Sequence, residues 1–240
     1  MKNLASVFGT AGIAALSCMA CGPQVARADL IPYSNIGTPN PVIYNFTATA
    51  SGNITAYFAG DNAGYDTDIG LLVNGVSTGI TGLDDHSTAV GTSLNLGFAA
   101  AGSTLTFVLI NNSIGMDAYS NPSLNVNTYD VPGETANGHN HVYSTAYTGT
   151  VPVPIPGGGT IPTGVIPAGT YVAFEDAQFN GGTPGQVING LMNSDFDYND
   201  ETFIFTDVTT RTGVPDSASS LTLLSIGFAG LSLLRRRFGA

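Results

Sequence analysis

Short runs in which apolar and polar residues alternate, each closed by turn residues, recur along this chain between residues 42 and 208. That pattern limits the fold most, because side chains two apart share one face of a strand. Residues 42–50 set Tyr44, Phe46 and Ala48 on one face and Asn45, Thr47 and Thr49 on the other. Residues 53–59 gather Ile54, Ala56 and Phe58, and the Ser51-Gly52 pair between the two runs predicts a hairpin. Residues 69–73 and 76–80 flank Asn74-Gly75, which favours a tight hairpin because both residues tolerate positive φ. Further strands are expected at 93–99, 104–110, 142–148, 170–174 and 202–208, the last with Phe203 and Phe205 on one face. No helical period emerges between residues 29 and 213. Eight or nine strands at this spacing predict an all-β fold, an antiparallel β-sandwich of jelly-roll-like form.

Two segments interrupt the pattern. Residues 111–138 are polar and rich in turn formers, which reads as a long ordered loop. Residues 151–168 carry Pro152, Pro154, Pro156, Pro162 and Pro167 around Gly157-Gly158-Gly159. Such a stretch favours polyproline II and cannot join a central strand. The chain beyond it is too short for a core of its own, so it reads as an exposed excursion from one domain covering residues 29–213. That length is typical of a single domain and sufficient for a hydrophobic core.

The two ends have a different character. Lys2, an apolar stretch over residues 5–20 and Ala26-Arg27-Ala28 form a signal peptide, residues 1–28, with cleavage expected before Asp29. Cys18 and Cys21 both fall inside it. A lipobox at Cys21 is the competing reading, but Cys18 stands where a leucine is expected. Ordinary cleavage leaves a mature chain with neither disulfides nor thiolate chemistry. Residues 214–240 run from Val214-Pro215-Asp216-Ser217 through an apolar segment, 219–234, to Arg235-Arg236-Arg237. Crossing a bilayer takes roughly 20 apolar residues, and Ser225, Gly227, Gly230 and Ser232 dilute this segment further. Its apolar residues encircle the helix, unlike those of an amphipathic helix packed on a domain. The arginines would stay on the cytoplasmic side.

This order of parts resembles the PEP-CTERM sorting signal of Gram-negative bacteria. Asp216 replaces the usual glutamate and the second proline is absent, so the tail looks closer to the variant that begins Val-Pro-Asp-Ser. The resemblance implies export through the translocase and transient anchoring in the inner membrane. Processing by an exosortase-like membrane enzyme and delivery to the cell surface or extracellular matrix would follow.

Charge narrows the function. The chain carries a formal net charge of −11, and between residues 29 and 213 Arg211 is the sole lysine or arginine. That excludes nucleic acid as a partner, since neutralising a phosphate backbone takes several cations. The carboxylates must be solvated, hydrogen-bonded or neutralised from outside. A metal cation could do so, while diffuse acidity that keeps a secreted protein soluble is the plainer alternative.

The most ordered acidic motif is Ser194-Asp195-Phe196-Asp197-Tyr198-Asn199-Asp200, preceded by Phe174-Glu175-Asp176. Oxygen ligands at Asp195, Asp197 and Asn199 have the alternate spacing that wraps Ca²⁺, which accepts six to eight oxygens. It is not an EF-hand, because Asp200 occupies the position that needs glycine. The expected ligands are Asp195, Asp197, Asn199 and Asp200, with Glu175 and Asp176 approaching from a neighbouring strand. The competing reading is that these acids cap a turn and accept backbone N–H bonds. The paired motifs resemble a domain of unknown function common in secreted bacterial proteins. That likeness implies a β-rich extracellular module compatible with cation binding and supplies no activity.

Other features carry less. Asp61, Asp66 and Asp68 read as a solvated loop, and His86, His139 and His141 as ordinary polar histidines. Gly75-Val76-Ser77-Thr78-Gly79 matches a nucleophile pattern but lies in a hairpin with no helix after it. Ten tyrosines and no tryptophan leave room for a sugar-binding face, although tyrosine is also a favoured strand residue. The expectation is therefore a non-enzymatic exported protein with a structural or adhesive role, stabilised by Ca²⁺. The alternatives are a carbohydrate-binding module acting on exopolysaccharide and, further off, a glycoside hydrolase using carboxylates such as Glu175 and Asp197.

Overall fold

Pairing turns the alternation into burial. A computed structural model describes residues 31–130, 139–150, 152–156, 158–179, 183, 185–188 and 191–212. The first strands are β1 (Tyr44–Ala48), β2 (Gly52–Asp61), β3 (Thr67–Val73), β4 (Val76–Gly82), β5 (Ser93–Ala99), β6 (Thr104–Asn111) and β7 (Met116–Tyr119). They continue with β8 (Val142–Tyr147), β9 (Val153–Pro154), β10 (Thr160–Ile161), β11 (Gly169–Phe174), β12 (Val187–Ile188) and β13 (Leu191–Met192). The last two are β14 (Glu201–Thr206) and β15 (Val208–Thr212).

One sheet has the order β15-β1-β6-β3-β4, with β7 also on β6, and the other the order β5-β2-β14-β11-β8. Every ladder in both is antiparallel. The sheets pack face to face. Phe46, Ile69, Leu71, Phe107 and Leu109 of the first share one core with Ile54, Phe58, Val172, Phe203 and Phe205 of the second. The Phe107 ring stacks on Phe205 across the interface, centroids 3.8 Å apart. Each such side chain contributes roughly 1.5–3 kcal/mol by leaving water.

The predicted faces hold, since Tyr44, Phe46, Ala48, Ile54, Ala56 and Phe58 are all buried. The predicted hairpin of 42–50 with 53–59 does not form. β1 pairs with β15 and β6, whereas β2 pairs with β14 and β5. The Ser51-Gly52 corner carries the chain from one sheet to the other, and alternation encodes a face without encoding a neighbour. The run at 202–208 likewise divides at Asp207, whose φ of 59° lets β14 and β15 join different sheets. The Asn74-Gly75 hairpin forms as expected, with φ of 50° and 81° and Val73 opposite Val76. Within the expected 111–138 loop, β7 and a 3₁₀ turn, Pro122–Leu124, are ordered, the turn capped by the Asn121 side chain.

The proline-rich segment lies on the protein. Val153, Ile161 and Ile166 are buried against Tyr143, Tyr147, Tyr171 and Ile204 on the far face of the five-stranded sheet, beside Tyr33. Among the described residues β9 and β10 pair only with each other, so the prolines there deprive no central strand of a donor. This second apolar layer buries the sheet on both sides. The strand β11 therefore has five of its six residues buried.

The predicted signal peptide, residues 1–28, and sorting helix, residues 219–234, lie outside the described residues. Among the described residues no helix is long and apolar enough to cross a membrane.

Candidate functional site

Glu175 follows β11 directly, and its N–H donates to the His141 carbonyl at 3.0 Å. The side chain is 1% exposed and points into the loop that leads to β14. There Oε2 accepts the Ser194 hydroxyl and the Phe196 N–H, the latter at 3.2 Å, while Oε1 accepts the Tyr198 N–H. The loop is shaped for this. Phe196 and Tyr198 have φ of 55° and 52°, a left-handed conformation that costs a bulky residue about 1–3 kcal/mol.

Their rings offset that cost. Phe196 packs on Phe179 at 5.3 Å, and Tyr198 meets Tyr33 edge-on at 4.7 Å. The Tyr198 hydroxyl donates to the Asn140 carbonyl at 2.9 Å and accepts the Asn40 N–H at 2.7 Å. Anchored aromatics thus turn alternate amides inward as an anion-binding nest, and the anion is the Glu175 carboxylate.

The alternate residues face outward, and here the six expected ligands separate into groups. Carboxylate oxygens of Glu175, Asp195 and Asp197 lie within 4.8 Å of one another, with Asp195 exposed and Asp197 half-buried. Asn199 donates its N–H to Asp197 Oδ1 at 3.2 Å and its side-chain amide to Oδ2, and its own Oδ1 accepts no hydrogen bond. Asp176 and Asp200 form a second group, the Asp176 N–H donating to Asp200 Oδ2 at 2.7 Å. The Tyr65 N–H donates to Asp176 Oδ2 at 3.1 Å. A cavity of about 30 Å³ is lined in part by Asp195 of the first group and Asp176 and Asp200 of the second, with Asn193. The loop therefore contains both arrangements weighed from the sequence, a turn capped by an acid and a convergence of carboxylates.

No lysine or arginine relieves this charge among the described residues apart from exposed Arg211 on β15. Burial raises Glu175 from 4.5 to about 7, and the neighbouring Asp195 and Asp197 charges add to the effect. Burial, then Asp195, raises Asp197 to about 6. Asp176 is raised chiefly by burial. Asp200 is held well above the carboxylate range by burial and by Glu175, Asp176 and Glu201.

Glu201, which opens β14, is fully buried and also raised, first by burial and then by Asp176. Its Oε1 accepts the Thr67 hydroxyl at 2.9 Å while Oε2 accepts no hydrogen bond. Sequence reasoning passed over it. The available signal was an acid heading a run of strand residues with no cation to meet it.

The histidines divide. His141 is buried and pairs through Nε2 with Asp130 Oδ1 at 2.8 Å, its ring edge-on to Tyr129. His139 sits beside the Phe179 ring, and burial lowers its pKa. Asp130 lies in a turn-rich loop, and nothing in its local sequence marks it. His86 meets Asp85 and Asp66, which brings part of the second acidic patch onto a histidine. Asp68 instead accepts the Asn112 side-chain amide at 3.3 Å.

Seven of the ten tyrosines are buried and none is exposed, so no tyrosine platform faces solvent. A groove of about 480 Å³ beside β7 offers Tyr119, Asp117 and Met116.

Against known proteins, the family model of the VPDSG-CTERM motif matches residues 213–238. Ala218 stands where the name of that motif has glycine. No curated protein and no solved structure matches the chain. The motif supports the PEP-CTERM-like tail read from Val214, Pro215, Asp216 and the Arg235, Arg236 and Arg237 cluster. It points to an exported protein of the cell surface and implies processing by an exosortase-like sorting enzyme.

Proposed function

We propose that this chain is a non-enzymatic structural or adhesive module of the cell surface or extracellular matrix, whose loop 194–200 is stiffened by Ca²⁺. The observation that carries the calcium clause is the convergence of Glu175, Asp195 and Asp197 within 4.8 Å in a domain whose one Lys or Arg is Arg211. Hard oxygen donors in flexible geometry suit Ca²⁺, and the extracellular side supplies it. Bound there, the ion would supply positive charge to Asp195, Asp197 and Glu175. The Asn199 Oδ1 atom, which has no hydrogen-bond partner, is a further oxygen within the same loop. The Glu175 carboxylate accepts three donors of the loop, which suits a fixed support better than a general acid that must exchange its proton with substrate.

Two measurements test the reading. Mass spectrometry of the protein recovered from fractionated cells should find residues 1–28 removed, the tail processed and the product at the surface. An intact chain in the cytosol would overturn the address. Melting with Ca²⁺ and with a chelator tests the metal, because a ligand of the native state alone must raise its stability. Retention on an exopolysaccharide column through the Tyr119 groove would instead favour the carbohydrate-binding alternative.

A further inference from the structure

A second constellation lies in different loops and has different donors. Asp66 ends the segment before β3, and Asp85 and His86 lie in the connection from β4 to β5. One ligand atom from each falls within 4.8 Å of the others. The loop is pinned by a two-point contact with Thr67, whose N–H donates to Asp85 Oδ1 at 2.8 Å and whose carbonyl accepts the Asp85 N–H at 3.3 Å. On its other side the Asp66 N–H donates to Ser113 Oγ at 2.8 Å, and its carbonyl accepts the Asn112 N–H at 2.8 Å. The backbone holding two of the donors is therefore fixed before any ligand arrives.

The independent sign of a ligand is the oxygen left over. Asp85 is 3% exposed, and its Oδ2 accepts no hydrogen bond. It faces His86 Nε2 at 3.7 Å, beyond hydrogen-bond distance. Asp66 Oδ1 is likewise buried and without a hydrogen-bond partner. A buried carboxylate oxygen with no donor carries a desolvation cost of about 1–3 kcal/mol or more. Aspartate oxygens and imidazole nitrogen bind Zn²⁺ at about 2.0–2.2 Å, so tetrahedral neighbours sit roughly 3.4 Å apart. The observed 3.7 Å between Asp85 Oδ2 and His86 Nε2 is close to that spacing. The His86 side chain is half exposed and free to adjust.

We propose that Asp66, Asp85 and His86 form a site for a divalent transition-metal ion of the Zn²⁺ class, leaving an outward position for water. One nitrogen and two carboxylates favour a borderline ion over Ca²⁺, which takes an all-oxygen shell. The site ties the β4–β5 connection to the start of β3. It does not depend on the calcium reading, since it shares no residue with the Glu175, Asp195 and Asp197 group.

The test is calorimetric titration of ZnCl₂ into the untagged, chelator-treated protein at pH 7.5 with millimolar Ca²⁺ present. The parent should bind one equivalent that Ca²⁺ does not displace. His86→Ala, a change at an exposed side chain, should weaken that binding at least about tenfold while leaving the fold intact, and Asp66→Asn should weaken it too. Co²⁺ in place of Zn²⁺ should give a visible absorption band that His86→Ala abolishes. Binding that survives His86→Ala unchanged, or no saturable Zn²⁺ binding by the parent, overturns the proposal.

Discussion

Replacing Glu175 with alanine removes the group around which the 194–200 loop is folded. Two donors lose their acceptor, the Ser194 hydroxyl and the Tyr198 N–H, while the Phe196 N–H keeps Ser194 Oγ at 3.1 Å. At about 2 kcal/mol for each buried donor left unpaired, the loss is about 4 kcal/mol. The substitution also relieves a penalty, because ionising Glu175 in place is unfavourable. Raising its pKa from 4.5 to about 7 corresponds to about 3 kcal/mol at about 1.4 kcal/mol per pKa unit. The net expectation for Glu175→Ala is destabilisation of about 1 kcal/mol at neutral pH, or a fall of about 2–4 °C in Tm for a domain of this size. Circular-dichroism melting in the presence of a chelator measures it. Glu175→Gln keeps one acceptor oxygen and discards the charge, so it should fall by less than half as much. A Glu175→Ala protein that melts at or above the parent's midpoint would show that the aromatic anchors alone shape the loop and that the carboxylate nest is incidental.

The raised acids also set a pH dependence for the metal-free protein. Glu175 holds its proton more tightly when folded, so its contribution is fully present below about 4.5 and is lost as pH rises through about 7. Asp197, raised from 3.8 to about 6, acts in the same direction. The chelated protein should therefore melt higher at pH 5 than at pH 7.5, and a midpoint that climbs over that interval refutes the assignment. Separately, a Cβ at Gly169 would sit 2.4 Å from the Phe205 carbonyl oxygen. Gly169→Ala should cost about 1–3 kcal/mol through strain in the β11–β14 ladder, measured by urea denaturation.

Much of the sandwich was legible because side-chain alternation reports burial directly. Tyr44, Phe46, Ile54, Phe58, Phe203 and Phe205 all occupy the faces their spacing implies. Which strand lies beside which was not legible, since the same alternation serves either sheet. Ser51-Gly52 and Asp207 are corners between sheets, and a corner reads like a hairpin turn until its partners are known. The covering role of Val153, Ile161 and Ile166 was hidden for a related reason. Prolines forbid a central strand but say nothing about what their apolar neighbours rest upon. At the acidic loop, the 195, 197, 199 periodicity is visible as Asp195, Asp197 and Asn199 alternating with the buried rings of Phe196 and Tyr198. The left-handed backbone at Phe196 and Tyr198 could not be foreseen, because neither residue type favours it. The meeting of Asp66 with Asp85 and His86 was equally out of reach, since it depends on β4 returning beside β3.

Calcium binding by the 194–200 loop is tested most directly by titrating Ca²⁺ into chelator-treated protein at pH 7.5 and following heat and thermal midpoint together. Saturable binding in the roughly 10⁻⁴–10⁻³ M range of extracellular modules is expected, with a higher Tm in the bound state. Both effects should vanish in a doubly substituted Asp195→Asn, Asp197→Asn protein that still melts cooperatively. A parent protein whose heat and midpoint stay flat through millimolar Ca²⁺ would contradict the claim that this loop is a cation-stiffened part of an exported β-sandwich.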